Sequence, residues 1–149
     1  MRLHLIAIGR LRDPPLEALI ARYVERSPWP LRTVELVARG KAGGAAAETA
    51  LLLEKVPEGA RIVALDERGL DLSSTDFAGR LDAWRHEAAA DVAFLVGGAD
   101  GLAPTARERA DLVLAFGRAT WPHMLVRVML AEQLWRAASI MAGHPYHRA

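Results

Sequence analysis

The chain has 149 residues, 52% of them apolar and 25% charged, which suits one compact soluble domain, residues 1–149, with a real core. It holds no cysteine, which excludes a disulfide scaffold, a thiolate metal site and a cysteine nucleophile, and fits a cytoplasmic setting. The net charge of +1 hides segregation: residues 1–41 hold eight Lys+Arg against four Asp+Glu, residues 42–117 seven against thirteen, and residues 118–149 four against one. If the basic ends meet in space they form a surface that attracts phosphate; an ordinary solvated mixture is the alternative.

Leu3 to Ile8 is an apolar run of strand length ending at Gly9, too short for a signal segment. Asp13-Pro14-Pro15 is a helix start, with Asp13 as cap and Leu16, Leu19, Ile20 and Tyr23 at helical spacing through about Arg26. Ser27-Pro28-Trp29-Pro30 breaks that helix, and Leu31 to Val37 alternates as a strand does. A basic loop, Arg39-Gly40-Lys41-Ala42-Gly43-Gly44, leads to a helix over Ala45 to Val56, stopped by Pro57-Glu58-Gly59. Ile62 to Leu65 is a buried strand, and Asp66-Glu67-Arg68-Gly69 a charged turn after it. Ser73 or Ser74 caps a helix carrying Phe77, Leu81 and Trp84. Val92 to Val96 is a further buried strand, followed by the loop Gly97-Gly98-Ala99-Asp100-Gly101, a short helix over Pro104 to Ala110 and a strand over Leu112 to Phe116. Gly117 to Trp121 is a loop, and Pro122 opens a long helix to Ala142.

Short apolar strands separated by helices predict an α/β domain with a mostly parallel sheet and helices on both faces. Ligands of such sheets bind beyond the carboxyl ends of the strands. Three loops qualify: Asp66–Gly69, Gly97–Gly101 and Gly117–Trp121. The glycine loop lacks both the Gly-Lys-Ser/Thr of a nucleotide loop and the full dinucleotide fingerprint, so alone it reads equally as a tight turn. Asp100 is open to a helix-capping role, and Asp66 and Glu67 to general-base, ribose-binding or turn-solvating roles.

The final helix is long enough to span a membrane, but Arg127, Glu132, Gln133 and Arg136 in its middle argue for a buried helix of a soluble protein. Met124, Leu125, Val126, Val128, Met129, Leu130, Leu134, Trp135, Ile140 and Met141 cover most of its circumference, which predicts burial by a second subunit as well as by its own sheet. Glu132 and Arg136 are spaced to pair. The chain closes on Gly143-His144-Pro145-Tyr146-His147-Arg148, a concentration of polar groups where disorder is the norm. His123, His144 and His147 invite a metal site, but no acidic residue nearby in sequence completes the set. Hydrogen bonding, stacking on a base or proton transfer suits them better.

Leu65-Asp66-Glu67-Arg68-Gly69, Val96-Gly97-Gly98-Ala99-Asp100-Gly101 and the closing run from Thr120-Trp121-Pro122-His123 to His144-Pro145-Tyr146-His147-Arg148 resemble the RlmH family over the whole chain. These are bacterial 23S rRNA pseudouridine N3-methyltransferases, acting at position 1915, of the SPOUT superfamily. The resemblance implies an α/β fold with a C-terminal trefoil knot, a homodimer, S-adenosylmethionine as cofactor, and 23S rRNA of the assembled ribosome as substrate, with no metal and no membrane. It implies cofactor contacts from Leu65, Gly97 and the stretch Phe116, Gly117, Arg118, Ala119, Thr120 and Trp121. It implies catalytic or positioning roles for His144, Tyr146, His147, Glu132, Arg136 and His123, the tail reaching the partner's cofactor. Arg10, Arg12, Arg22, Arg26, Arg118 and Arg148 are expected to hold rRNA phosphates. Two rivals stay open: a non-catalytic rRNA-binding module on the same fold, and a metal-dependent hydrolase using the three histidines with Asp66 or Asp100.

Overall fold

The computed structural model describes residues 1–37 and 44–147. The basic loop expected at 39–44 falls outside them except for Gly44, as do Arg148 and Ala149. The elements run β1 (Arg2–Ile8), α1 (Pro14–Arg26), β2 (Leu31–Leu36), α2 (Gly44–Glu54), β3 (Arg61–Asp71), α3 (Ser74–His86), β4 (Asp91–Val96), α4 (Pro104–Arg109), β5 (Leu112–Ala115), α5 (His123–Ala142) and a 3-10 turn (Pro145–His147). The strands form one sheet in the order β2-β1-β4-β3-β5, every neighbouring pair parallel.

Both faces of the sheet are covered, which is why its strands read as continuous apolar runs. On one face Leu3, Leu5, Val63, Val92, Phe94 and Val96 pack with Phe77 and Leu81 of α3 and Leu130 and Leu134 of α5. On the other, Ile6, Ile8, Ile62, Ala64, Ala93 and Leu95 pack with Leu52 of α2 and Ala106 of α4. Successive residues of one strand serve opposite cores, as the two-residue repeat requires. Asp13 and Ser73 cap α1 and α3 through their side chains, accepting from the amides of Leu16 and Asp76. α4 is capped by Ala103 and not by Asp100, which is exposed.

Two expectations change. Residues 66–69 are not a turn after a strand that stops at Leu65. β3 continues to Asp71, and Leu65 and Leu70 both stand opposite Leu114, so the four residues between them are an outward bulge within the strand. Asp66 supports it by accepting the Arg68 amide at 2.9 Å. Gly69 lets it close, because a Cβ there would come within 2.6 Å of the Val113 backbone. The second change is where α5 begins, which the sequence puts at Pro122. The helix starts at His123, with Pro122 as its cap, and within one chain it is not buried all round: Leu125 is 37% exposed, and Val128, Met129 and Met141 are only half-buried. α5 spends its other side on α1 and α3.

At the amino ends of the strands Arg2 grips Asp91 with two hydrogen bonds of 2.9 and 2.8 Å, and His4 Nε2 lies 2.7 Å from the same carboxylate. The hydrogen bonds of Arg2 and then His4 outweigh burial and hold the Asp91 carboxyl down at about 2. A carboxyl depressed by folding contributes stability above its unfolded value near 3.9, and loses it as pH falls from about 5 toward 2. Asp91→Asn should therefore lower Tm at neutral pH, and the gap to the wild type should narrow over that acid range in thermal melts.

Candidate functional site

At the carboxyl ends of β4 and β5, beside the bulge of β3, the chain forms an open cavity of about 590 Å³. Its walls come from the three expected loops: Leu65 to Arg68, Val96 to Leu102, and Leu114 to Pro122 without Arg118, closed by His123 and Val126 of α5. The size falls within the usual range of small-molecule sites, about 300–1,000 Å³. Each loop has a local reason for its shape. Gly97 is packed so closely that a Cβ would stand 2.7 Å from the Gly101 carbonyl group. Gly98 and Gly101 form a tight turn, the Gly101 amide donating to the Gly98 carbonyl at 3.0 Å with Gly101 at φ +73. The third loop is drawn into a ring by the Trp121 indole, which donates to the Phe116 carbonyl at 2.8 Å.

The walls are cross-braced. Arg107 of α4 donates from Nη1 to Asp66 at 3.0 Å and to the Leu102 carbonyl at 3.1 Å, joining the β3 bulge to the end of the glycine loop. Thr120 donates its hydroxyl to Glu67, joining the bulge to the third loop. Two carboxylates read in the sequence as base or ribose ligands are thus also structural acceptors. Asp66 has a nearly buried side chain, whereas Glu67 is exposed.

Of the residues expected to hold a cofactor, Leu65, Gly97, Phe116, Gly117, Ala119, Thr120 and Trp121 all line this one cavity. Arg118 is exposed and faces elsewhere. His123 lines the cavity, and its Nδ1 is enclosed without a hydrogen-bond partner among the described residues. Burial first, and then the charge of Arg127, lower the pKa of His123, so its imidazole is neutral at neutral pH.

The tail residues form a separate cluster on α5. Tyr146 donates its hydroxyl to Glu132 at 3.1 Å, and Arg136 donates to the same oxygen at 2.9 Å from Nε and 2.5 Å from Nη2. The Arg136 guanidinium also lies 5.1 Å from the Tyr146 ring centre, while Trp135 stacks at 5.4 Å against both Tyr146 and His144. Burial, and then the Glu132 charge, push the Tyr146 phenol up to about 12. It stays protonated at neutral pH and acts as a donor, not as a base. Trp135 Nε1 and His147 Nδ1 are buried without partners among the described residues. From His123 to Glu132 is nine residues of helix, about 14 Å at 1.5 Å per residue. Within one chain the tail cluster and the cavity are therefore distinct places. Among the described residues no three His, Cys, Asp or Glu side chains converge to hold a metal ion.

The residue missed in the sequence is Arg127. It is 1% exposed and donates to Glu35 at 2.5 Å and to the Ile8 and Gly9 carbonyls at 2.9 and 2.8 Å. Glu35 also accepts the Leu11 amide at 2.7 Å. The available signal was a charge in an apolar helix one turn after His123. The basic ends of the chain do meet here, α1 and the end of β1 lying against α5. Arg10, Arg12, Arg22 and Arg26 are exposed.

The family model described as a predicted SPOUT methyltransferase matches residues 1–147. This chain belongs to the SPOUT methyltransferase family. It is 57% identical over 152 residues to the ribosomal RNA large subunit methyltransferase H of Rhodospirillum centenum, covering 100% of both chains. It is 55% identical to the protein of the same name from Paramagnetospirillum magneticum, covering 99% of each. In three dimensions it is similar to a probable methyltransferase from Bordetella pertussis, with a TM-score of 0.59 at 16% identity, covering 92% of this chain and 96% of that one. At that identity the likeness concerns the fold.

Removing Arg127 would leave Glu35 and two backbone carbonyls without their donor. Arg127→Met should cost about 3 kcal/mol of stability, near the lower end of the range for breaking a buried pair, read as a lower midpoint in denaturant unfolding.

Proposed function

We propose that this chain methylates N3 of the pseudouridine at position 1915 of 23S rRNA, on the assembled ribosome in the cytoplasm, with S-adenosylmethionine as donor. The observation that carries the reading is the 590 Å³ cavity at the strand ends, assembled from the loops whose sequences resemble that family. The relatives of the same length, named for large-subunit rRNA methylation, support it.

The cavity suits the donor. Leu65, Val96, Leu114, Phe116 and Val126 offer an apolar wall, and the Trp121 indole borders it, as an adenine ring requires. Gly97 and Gly98 bring backbone close, and Asp66, Glu67 and Asp100 supply acidic groups for hydroxyls and positive charge. S-adenosylmethionine supplies a methyl already activated by sulfonium, so the protein's own work is alignment and handling of the N3 proton. His123, neutral and on the cavity wall, is placed to take that proton.

We further propose that a homodimer completes the site, the partner's tail delivering Tyr146, His144 and His147 toward this cavity. Exposed Trp121, just before α5, and exposed Leu125 in its first turn support a second subunit there. In that arrangement Glu132 and Arg136 orient the tail, and Tyr146 donates a hydrogen bond to the target base. Arg10, Arg12, Arg22, Arg26, Arg118 and Arg148 hold phosphates. In this reading the trefoil knot lies between β3 and α5; the return of α5 from edge strand β5 across α1, α3 and β4 supports it.

Mass mapping of 23S rRNA from a strain lacking the protein should show loss of one methyl group at the pseudouridine, restored by add-back; an unchanged map would refute the reading. Calorimetry should show S-adenosylmethionine binding to the purified protein, and a rRNA-binding module would show none. Deleting Tyr146–Ala149 should abolish methyl transfer while leaving cofactor affinity within about threefold, a change of about 0.7 kcal/mol. Parallel loss of both would make the tail structural only.

A further inference from the structure

Glu132 holds the tail through one of its two oxygens. Oε1 accepts both bonds of Arg136 and the Tyr146 hydroxyl. Oε2 is met from elsewhere: the side-chain amide of Gln133 donates to it at 2.9 Å. The other end of that amide is held in turn. Ser74, in the first turn of α3, donates its hydroxyl to Gln133 Oε1 at 2.8 Å. A carboxylate only accepts, so the amide nitrogen faces Glu132 and the amide oxygen faces the serine.

A helix does not supply the contact between Glu132 and Gln133 by itself. Neighbours along a helix point about 100° apart and do not face each other. With its oxygen tied to Ser74, the amide presents its nitrogen in one direction, and the Glu132 carboxylate lies there. The last torsion of a glutamate is soft. With donors on Oε1 alone, the carboxylate could turn and carry that oxygen off the Tyr146 hydroxyl, the longest of its bonds at 3.1 Å. Arg136 cannot prevent this, because both its bonds end on Oε1. A donor on Oε2 fixes the plane. Ser74 and Gln133 also line a chamber of about 100 Å³ with Leu114, Ala115 and Phe116, which border the larger cavity as well. The carboxylate that orders the tail is thus braced beside the cavity wall.

We propose that Gln133 is a positioning residue for the tail: it fixes the carboxylate plane of Glu132, and through it the place from which Tyr146 meets the target base. The proposal rests on the methyl-transfer reading and on the part that reading gives to Tyr146. Ser74 is the outer anchor of the same chain of hydrogen bonds.

The test reads the tail and the chemistry separately. Fluorine NMR of protein labelled with fluorotryptophan reads the tail, because Trp135 stacks at 5.4 Å against both His144 and Tyr146. Its signal is assigned by loss in Trp135→Phe. Gln133→Met keeps the length of the side chain and removes its hydrogen bonds. In that variant the Trp135 signal should move toward its position in the protein lacking Tyr146–Ala149, while those of Trp29, Trp84 and Trp121 stay. Ser74→Ala should move it the same way by a smaller amount. In single-turnover methyl transfer to ribosomes, Gln133→Met should slow the step about tenfold and leave S-adenosylmethionine affinity within about twofold. In a Tyr146→Phe background the same substitution should cost less than about twofold, since the hydroxyl it positions is gone. An unmoved Trp135 signal in Gln133→Met, or an undiminished loss of rate without the Tyr146 hydroxyl, overturns the proposal. If the wild-type protein transfers no methyl group, the functional reading fails instead, and the fluorine signals still decide whether Gln133 holds the tail.

Discussion

The buried guanidinium of Arg127 is the constraint on which the rest of the site depends. Taking such a charge out of water costs several kcal/mol unless its hydrogen bonds are replaced. Here the replacements are one carboxylate at the end of β2 and two carbonyls at the end of β1. That requirement locks the start of α5 onto the carboxyl edge of the sheet, where the three loops open. His123, one turn earlier, is therefore held at the cavity wall and not merely near it. Burial first, and then the same charge, disfavour protonation of the imidazole, so the interaction that fixes the place of His123 also adds to its preference for the neutral form.

The cavity follows a similar logic of shared acceptors. Asp66 is held by Arg107, and Glu67 by Thr120, so each wall is fixed by a contact to another wall. The glycines matter where backbone must pass backbone. Gly69 admits the Val113 main chain beneath the bulge, and Gly97 admits the Gly101 carbonyl. A side chain at either would push a loop away from the strand ends and open the cavity. The pocket thus depends on close backbone packing at the strand ends as well as on the side chains that line it. This suits a site that must present a flat apolar wall to a ring and leave one edge open to a nucleic acid.

The tail has a different character. Its groups are bound to one another and to α5, about 14 Å of helix away from His123. Tyr146 keeps its proton because burial and Glu132 both oppose ionisation. The ring nitrogens Trp135 Nε1 and His147 Nδ1 lie buried in the cluster without partners among the described residues. In the proposed reading the sheet end holds the donor and the tail presents hydrogen-bond donors to the substrate.

Much of the fold was legible because the relevant physics is local. Apolar runs of strand length, capped helices at Asp13 and Ser73, and glycine loops after strands predicted the elements and their parallel arrangement, and the three strand-end loops, Arg118 excepted, line one cavity. The ion pair of Glu132 with Arg136 was visible in its spacing. The β3 bulge was not, because Asp66-Glu67-Arg68-Gly69 has the composition of a turn and only the pairing of β3 with Leu114 shows that the strand resumes. Arg127 with Glu35, Arg107 with Asp66, and Gln133 with Ser74 join residues 92, 41 and 59 positions apart. No periodicity carries such information. By itself the sequence determined which segments form strands, helices and ligand-facing loops, since those depend on neighbours within a few residues. Only the tertiary structure decided which charges are buried and what meets them, because that depends on the order in which the strands lie side by side.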